Sequence, residues 1–353
     1  MYKNRKLAIV ISMAVLLVTI VLGVFLSVSV RTDNYETQCK AADLMRCYID
    51  QIARYKKEVG LGLSKEDIHQ TGLIGDEFTG ITTTVGTIEA KRTVSNPDMA
   101  ALAVRMLADA GVEAGNVIGA AFSGSFPGMN LAFLAASEAM GVRIVYIASV
   151  GASMYGANQP ELTFTDMVHR LFEDDLVSQP LAAFSMGGDR DCGIEMEPAL
   201  VHIIEKRLTG YGYPFIHIED YVENLKARLA IYDAYDITCF VGIGGNITTI
   251  GVDEDDMPWG IVRPYTAHSP GEKSGLLEIY NARGLPVIHF VNVKKIVAEY
   301  GLAYDLQSIE QVGLSAVYYR TQSPRLVIVV GICVAIGILL WGRWSVRNRN
   351  RQT

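Results

Sequence analysis

Apolar positions along this chain follow three different patterns. At each end they are continuous. Leu7 to Val30 is a run of 24 residues without a charge. At about 1.5 Å per residue it is long enough to cross a bilayer core of about 30 Å as a helix. Leu326 to Gly342 is a second run, of 17 residues, at the short end of the spanning range. From Asp33, with Glu36 three residues on, Leu44, Met45, Tyr48, Ile49 and Ile52 recur at helical spacing up to about Val59. Thr71 to Thr93 is β-branched and punctuated by glycine, which predicts strands and turns. Asn96 with Pro97 starts a helix that Gly111 stops.

Beyond Gly111 short apolar runs alternate with amphipathic ones. Strands are predicted at 117–122, 143–149, 181–185, 215–218, 237–243 and 287–291. Helices are predicted near 129–140, 165–176, 198–208, 221–232 and 270–282, the last opened by the capping sequence Ser269-Pro270-Gly271-Glu272. Strand–helix alternation with apolar strands predicts an α/β fold: a mostly parallel, doubly wound, Rossmann-like sheet covered on both faces. The resulting organisation is a tail (1–6), a transmembrane helix (7–30), a juxtamembrane helical segment (31–69), the α/β domain (70–325), a second transmembrane helix (326–342) and a basic tail (343–353).

Charge orients this plan. Lys3, Arg5 and Lys6 precede the first span, and Arg343, Arg347, Arg349 and Arg351 follow the second, beside Trp341 and Trp344. Basic tails without acids place both termini in the cytoplasm and the domain on the outer face of the membrane. A cleaved secretory signal is the alternative for the first run, although signal cores are usually only about 7–15 residues. Residues 31–325 then hold 24 basic and 38 acidic side chains, net −14. Such a domain is not expected to bind nucleic acid, and any anionic ligand must be met by local donors. The five cysteines have neither CxxC nor Cys/His metal spacing, so no metal site is expected, and they read as ordinary buried thiols.

In a parallel sheet, ligands bind beyond the carboxyl ends of the strands. Four post-strand loops there are rich in Gly, Ser, Asn and Asp: "FSGSFPG" (122–128), "SVGASMYGANQP" (149–160), "SMGGDRDCG" (185–193) and "GIGGNITTIG" (242–251). They nominate a binding rim of Ser123, Gly124, Ser125, Ser149, Gly151, Asn158, Gly187, Gly188, Arg190, Gly244, Gly245 and Asn246, with Lys91 and Arg92 as candidate carboxylate partners. The "SGSFPG" turn admits three readings. It is an anion cradle at a helix N-terminus, a serine nucleophile, or a capping turn with no ligand. The nucleophile reading takes Ser125 or Ser123, with His268 as base and Asp189 as its orienter, in a hydrolase or acyl transferase. The G-x-S-x-G elbow is not met, since Ser123 and Pro127 flank Ser125. "GIGGN" fails the dinucleotide fingerprint at Ile247, and no Walker loop exists, so no nucleotide cofactor is expected. The acidic run from Asp253 lacks EF-hand spacing and reads as a solvated loop. "NIT" at 246–248 matches a glycosylation acceptor, but lies within the glycine-rich rim.

Taken together, "AKRTVSNPDMAALAVRMLADAGV" (90–112), "FSGSFPGMNLAFLAASEAMG" (122–141), "SVGASMYGANQPELTFTDM" (149–167) and "MGGDRD" (186–191) resemble the bacterial poly-γ-glutamate system protein family. The resemblance covers about residues 70–320. It implies a membrane component of the machinery that makes and exports poly-γ-glutamate, distinct from the ATP-dependent ligase. The expected partners are the polymer or another carboxylate ligand, other membrane subunits of that machinery, and the lipid bilayer. The resemblance supplies no catalytic residues. Such a component either binds and guides the polymer, or acts on γ-glutamyl chains as an outer-face serine enzyme.

Overall fold

The computed structural model describes residues 2–252, 257–264 and 269–349. The chain divides into two units, one made of both chain ends (up to Asp33 and from Tyr319) and one running from Asn34 to Tyr318.

The first unit contains α1 (Tyr2–Phe25) and β1 (Val28–Arg31), followed at the other end of the chain by β11 (Tyr319–Gln322) and α12 (Arg325–Arg349). Within these helices the 20-residue stretches Lys6–Phe25 and Arg325–Trp344 are long and apolar enough to cross a membrane. The first helix stops at Phe25, short of the expected Val30. The β-branched alternation of Val28–Arg31 instead pairs antiparallel with β11, Val28 opposite Gln322 and Arg31 opposite Tyr319. Arg320 and Asp33 form an ion pair at 2.7 Å, so Asp33 is not a helix cap. α1 and α12 run antiparallel through small residues: Gly23 lies against Ile328, Thr19 against Gly331, and Ser12 Oγ donates to Ala335 O at 2.6 Å. Small contact residues let helix backbones approach, which is how apolar helices associate where no water is expelled. A Cβ at Gly331 would lie 2.0 Å from Thr19 Oγ1. In a chain stripped of native cysteines, Ser12→Cys with Ala335→Cys should therefore cross-link on oxidation in membranes. Adding Gly331→Leu should abolish the cross-linked band on a gel.

The second unit opens with α2 (Tyr35–Glu58), whose stripe of Ala41, Ala42, Met45, Tyr48, Ile49, Ile52 and Tyr55 is buried. It packs on α4 (Asp98–Asp109) and α5 (Pro127–Met140), so the segment read as juxtamembrane is a layer of the domain. The expected strands of 71–93 reduce to β2 (Thr82–Thr84), because Ile88–Val94 folds as helix α3. Then follow β3 (Val117–Ser123), β4 (Arg143–Ser149), β5 (Ala152–Ser153), α6 (Phe164–Glu173), β6 (Ala183–Ser185), α7 (Pro198–Gly210), β7 (Phe215–Ile216) and α8 (Tyr221–Tyr232). The last part holds β8 (Ile237–Ile243), α9 (Ile247–Ile250), β9 (Gly260–Val262), α10 (Leu276–Ala282), β10 (Val287–Phe290) and α11 (Val293–Glu299). The helix expected from Pro270 starts only at Leu276. Gly251 and Ser274 form a bridge that holds the preceding residues out of helical geometry.

Seven strands form one sheet in the order β7-β6-β4-β3-β8-β10-β9, parallel throughout except for the β9 edge. The chain starts at β3, walks outward through β4, β6 and β7, then returns to lay β8 on the other side of β3. Both faces are covered. Phe122 and Tyr146 pack with Phe164 of α6 on one face. On the other, Phe240 stacks on Tyr280 of α10 at 4.7 Å and meets Tyr232 of α8 edge-on at 5.1 Å. Burial on both faces is why these strands read as continuous apolar runs. The reversal of direction between β3 and β8 opens a crevice at their carboxyl ends, the place where such sheets bind ligands.

Candidate functional site

The turn after β3 is fixed by side-chain hydrogen bonds. Ser123 Oγ accepts from Ser125 N at 3.2 Å, Ser125 Oγ accepts from Ser153 N at 2.9 Å, and Asn130 Nδ2 donates to Ser123 O at 2.9 Å. At Gly124 a Cβ would lie 2.6 Å from Val150 O, so only glycine fits between the first and second loops. Neither serine caps α5. Phe126 occupies the cap position without a side-chain bond, and Pro127 follows it. Gly128 is pressed against α3, where a Cβ would come within 2.2 Å of Val94 O. Pro127, Gly128 and Met129 line neither cleft described below. The reading that this helix N-terminus cradles an anion is therefore corrected: its first turn is occupied by packing, and the turn alone faces the rim.

Two clefts meet at that turn and share Thr84, Ser125 and Gly245. One, of about 370 Å³, brings together Ser123, Ser149, Gly151, Gly188, Arg190 and Asn246 from all four loops, with Asp189 and Glu195 beside them. The other, of about 430 Å³, is lined by Lys91, Phe126, Ser153, Asn292, Lys294 and Tyr304 among others. Their charges differ in kind. The first has Arg190 against Asp189 and Glu195, and the second has Lys91 and Lys294 with no acidic side chain among its described lining residues.

Other nominated residues shape the rim without facing it. Gly244 (φ 83°) backs onto Ser123 and Gly187 (φ 74°) onto Ser149, where Cβ atoms would fall 2.9 Å from each serine Cβ. Asn158 is fully buried. Its amide donates to Asp76 O at 2.7 Å and Thr82 Oγ1 at 3.0 Å, and its carbonyl accepts from Asp76 N, which ties the second loop to β2. Arg92 is not available to a ligand, because Asp305 holds it at 2.7 Å and Glu66 at 3.5 Å. Asp189, by contrast, does line the first cleft; it is exposed and its N–H donates to the Glu195 carboxylate, whereas His268 and the acidic residues 253–256 lie outside the described residues. Among the described residues no imidazole lines either cleft.

Beneath the first cleft lies a polar cluster that sequence reasoning missed. Asp191, fully buried, pairs with Arg228 and accepts from Ser185 Oγ at 2.8 Å, Asn246 Nδ2 at 2.9 Å and Asn224 Nδ2 at 3.1 Å. Arg190 and Asp191 have φ of 48° and 60°, a left-handed conformation costing non-glycine residues about 1 kcal/mol or more each. The cluster offsets that cost and fixes Asn246 at the rim while Arg190 is turned outward. The sequence did carry a signal: Asn224 and Arg228, four residues apart, fall on the same buried face of α8 as Leu225.

Lys91 is the other residue with unusual surroundings. It is 2% exposed; Nζ donates to Ser125 O at 2.5 Å and Ser153 Oγ at 2.6 Å and sits 3.9 Å above the Phe126 ring. Burial without a carboxylate partner pushes its pKa down to about 7. The Cys239 thiol is raised to about 12 by burial, whereas Cys47 is exposed, contrary to the expectation of uniformly buried cysteines.

No protein-family model, curated protein or solved structure matches this chain. What fold and site define is a mixed α/β domain with a ligand-sized groove at the switch point of a mostly parallel sheet, in a chain carrying two helices able to cross a membrane.

Proposed function

We propose that this protein is a membrane-anchored component of the bacterial poly-γ-glutamate apparatus, and that its α/β domain binds the polymer at the two-part groove. The observation that carries the reading is the meeting at Ser125 and Gly245 of two clefts of different character, one lined by Asp189, Glu195 and Arg190 and the other by Lys294 with no acidic side chain among its described lining residues. A γ-glutamyl chain has a carboxylate on every unit and one free amine at its end. Its carboxylates suit the cleft that holds Lys294, and its terminal ammonium suits the cleft of Asp189 and Glu195. The sequence resemblance supports this choice of polymer. The basic flanks of both helices and their antiparallel pairing support an arrangement with both termini in the cytoplasm and the domain outside. Against a net charge of −14, local donors must supply the attraction.

Isothermal titration of the full chain in nanodiscs with γ-glutamate oligomers, beside free glutamate and polyphosphate, tests the proposal. The expected result is binding selective for the oligomer. Equal binding of polyphosphate, or none of the oligomer, overturns it. Lys294→Glu should weaken the oligomer by about tenfold or more, since a charge-assisted hydrogen bond is worth ~1.5–3 kcal/mol. Arg190→Ala should change it little, because Arg190 is exposed and already faces Glu219 at 3.5 Å.

A further inference from the structure

Lys91 and Ser153 are brought together by the fold from positions 62 residues apart. Lys91 sits on α3, and Ser153 ends β5, the short strand that pairs parallel with β2. Both line the cationic cleft. The Lys91 ammonium has two hydrogen-bond partners, the Ser125 carbonyl and the Ser153 hydroxyl, and no carboxylate among the described residues pairs with it. Ser125 positions both members, since its carbonyl takes one Lys91 proton and its hydroxyl takes the Ser153 N–H at 2.9 Å. Gly86 lines the same cleft, and a Cβ there would come within 3.0 Å of Ser153 Oγ, so glycine leaves that side of the hydroxyl open.

From this geometry we propose that Ser153 is a nucleophile and Lys91 its general base, forming a serine–lysine acyl-transfer centre that acts on amides or esters of carboxylic acids. The neutral amine needed for that role is favoured here, because burial disfavours the charged form and no anion restores it. In the first step Lys91 Nζ takes the Ser153 hydroxyl proton as Oγ bonds to the substrate's carbonyl carbon. The tetrahedral adduct collapses with cleavage of the carbon–nitrogen or carbon–oxygen bond, and the leaving amine or alcohol takes the proton from Lys91. Water then attacks the acyl-serine with Lys91 again as base, which releases the carboxylic acid and restores Ser153. An incoming amine in place of water would give transfer instead of hydrolysis. Lys294, in the same cleft, contributes positive charge for a substrate carboxylate or the developing oxyanion. The centre differs from the Ser125–His268–Asp189 arrangement expected from sequence and requires only the cleft, not the polymer reading.

The test is labelling of the full chain in nanodiscs with a fluorophosphonate probe, followed by peptide mapping, with hydrolysis of p-nitrophenyl acetate measured in parallel. The expected result is one adduct at Ser153, forming faster as pH is raised from 6 to 8. Lys294 and Tyr304 are the other titratable groups among the described lining residues, and Lys294→Met should leave that pH profile in place. Ser153→Ala should abolish labelling. Lys91→Met and Lys91→Arg should each slow it about 100-fold or more, the lower range for loss of a general base. Arginine keeps the charge and the donors but cannot take a proton, and only a Lys91→Arg protein shown to be folded is scored. No adduct at Ser153 of the native chain, or an adduct at Ser123 or Ser125 instead, overturns the proposal whatever the variants do. So does undiminished labelling of a folded Lys91→Arg protein.

Discussion

Replacing Asp191 by alanine is expected to lower the melting temperature of the full chain by roughly 5–10 °C. The reason lies in what is left behind. Arg228 is 2% exposed, and Asp191 is the carboxylate that faces it. A guanidinium stays protonated at any accessible pH, so the variant must bury an unpaired cation, at a cost of about 3–5 kcal/mol. Two or more degrees per kcal/mol is the scale for chains of this size. Ser185, Asn224 and Asn246 also lose their shared acceptor. The double variant Asp191→Leu with Arg228→Leu removes both charges and should recover most of the lost midpoint. Differential scanning calorimetry of the three proteins decides the matter, and a shift under about 2 °C for Asp191→Ala would show that the cluster does not anchor the rim.

The second large effect is a pH dependence of stability carried by Lys91. In the unfolded chain a lysine keeps its proton until about pH 10.4. In the folded protein Lys91 releases it near 7. Between these values the unfolded state binds more protons, so stability rises with pH, at up to about 1.4 kcal/mol per unit. Below 7 both states are protonated and the full penalty of burying the charge is present. The native protein should therefore gain roughly 2–3 kcal/mol between pH 7 and 9 from this group. Lys91→Met should lack that slope. Lys56, also buried and also lowered by desolvation, contributes with the same sign but is common to both proteins, so the difference between their denaturation curves isolates Lys91. Parallel curves for the two proteins across this window would refute the assignment.

How far the sequence led depended on whether local pattern or distant contact decided the outcome. The strands Arg143–Ser149 and Ile237–Ile243 and the helix Tyr221–Tyr232 were legible to the residue, since central strands covered on both faces need unbroken apolar runs. Ile88–Val94 was not. Its β-branched surroundings favour strand, yet the segment folds as a helix with Lys91 and Thr93 buried. The start at Leu276 was hidden in the same way, because the Gly251–Ser274 bridge joins residues 23 positions apart. At the site, glycine- and serine-rich loops after apolar strands gave away the rim, and Ser123, Ser149, Gly188 and Asn246 do share one cleft. The pairing of Lys91 with Ser153 had no local signature. It exists because β2 and β5, strands of three and two residues, happen to align the segments that carry them.

The hairpin of α1 and α12 has a consequence for how the protein is made. Its two arms are joined by everything else in the chain, so about 300 residues must be synthesised before α12 exists. At ~5–20 residues per second the first arm waits roughly 15–60 s without its mate. During that interval Ser12 and Thr19 lack their contacts to Ala335 and Gly331. Thr19 turns its hydroxyl onto Val15 O of its own helix at 2.8 Å, whereas the Ser12 bond to Ala335 O forms only once the late-arriving arm is present. Pairing of the two apolar helices therefore finishes last, and a ribosome that stops early leaves the first helix unmatched.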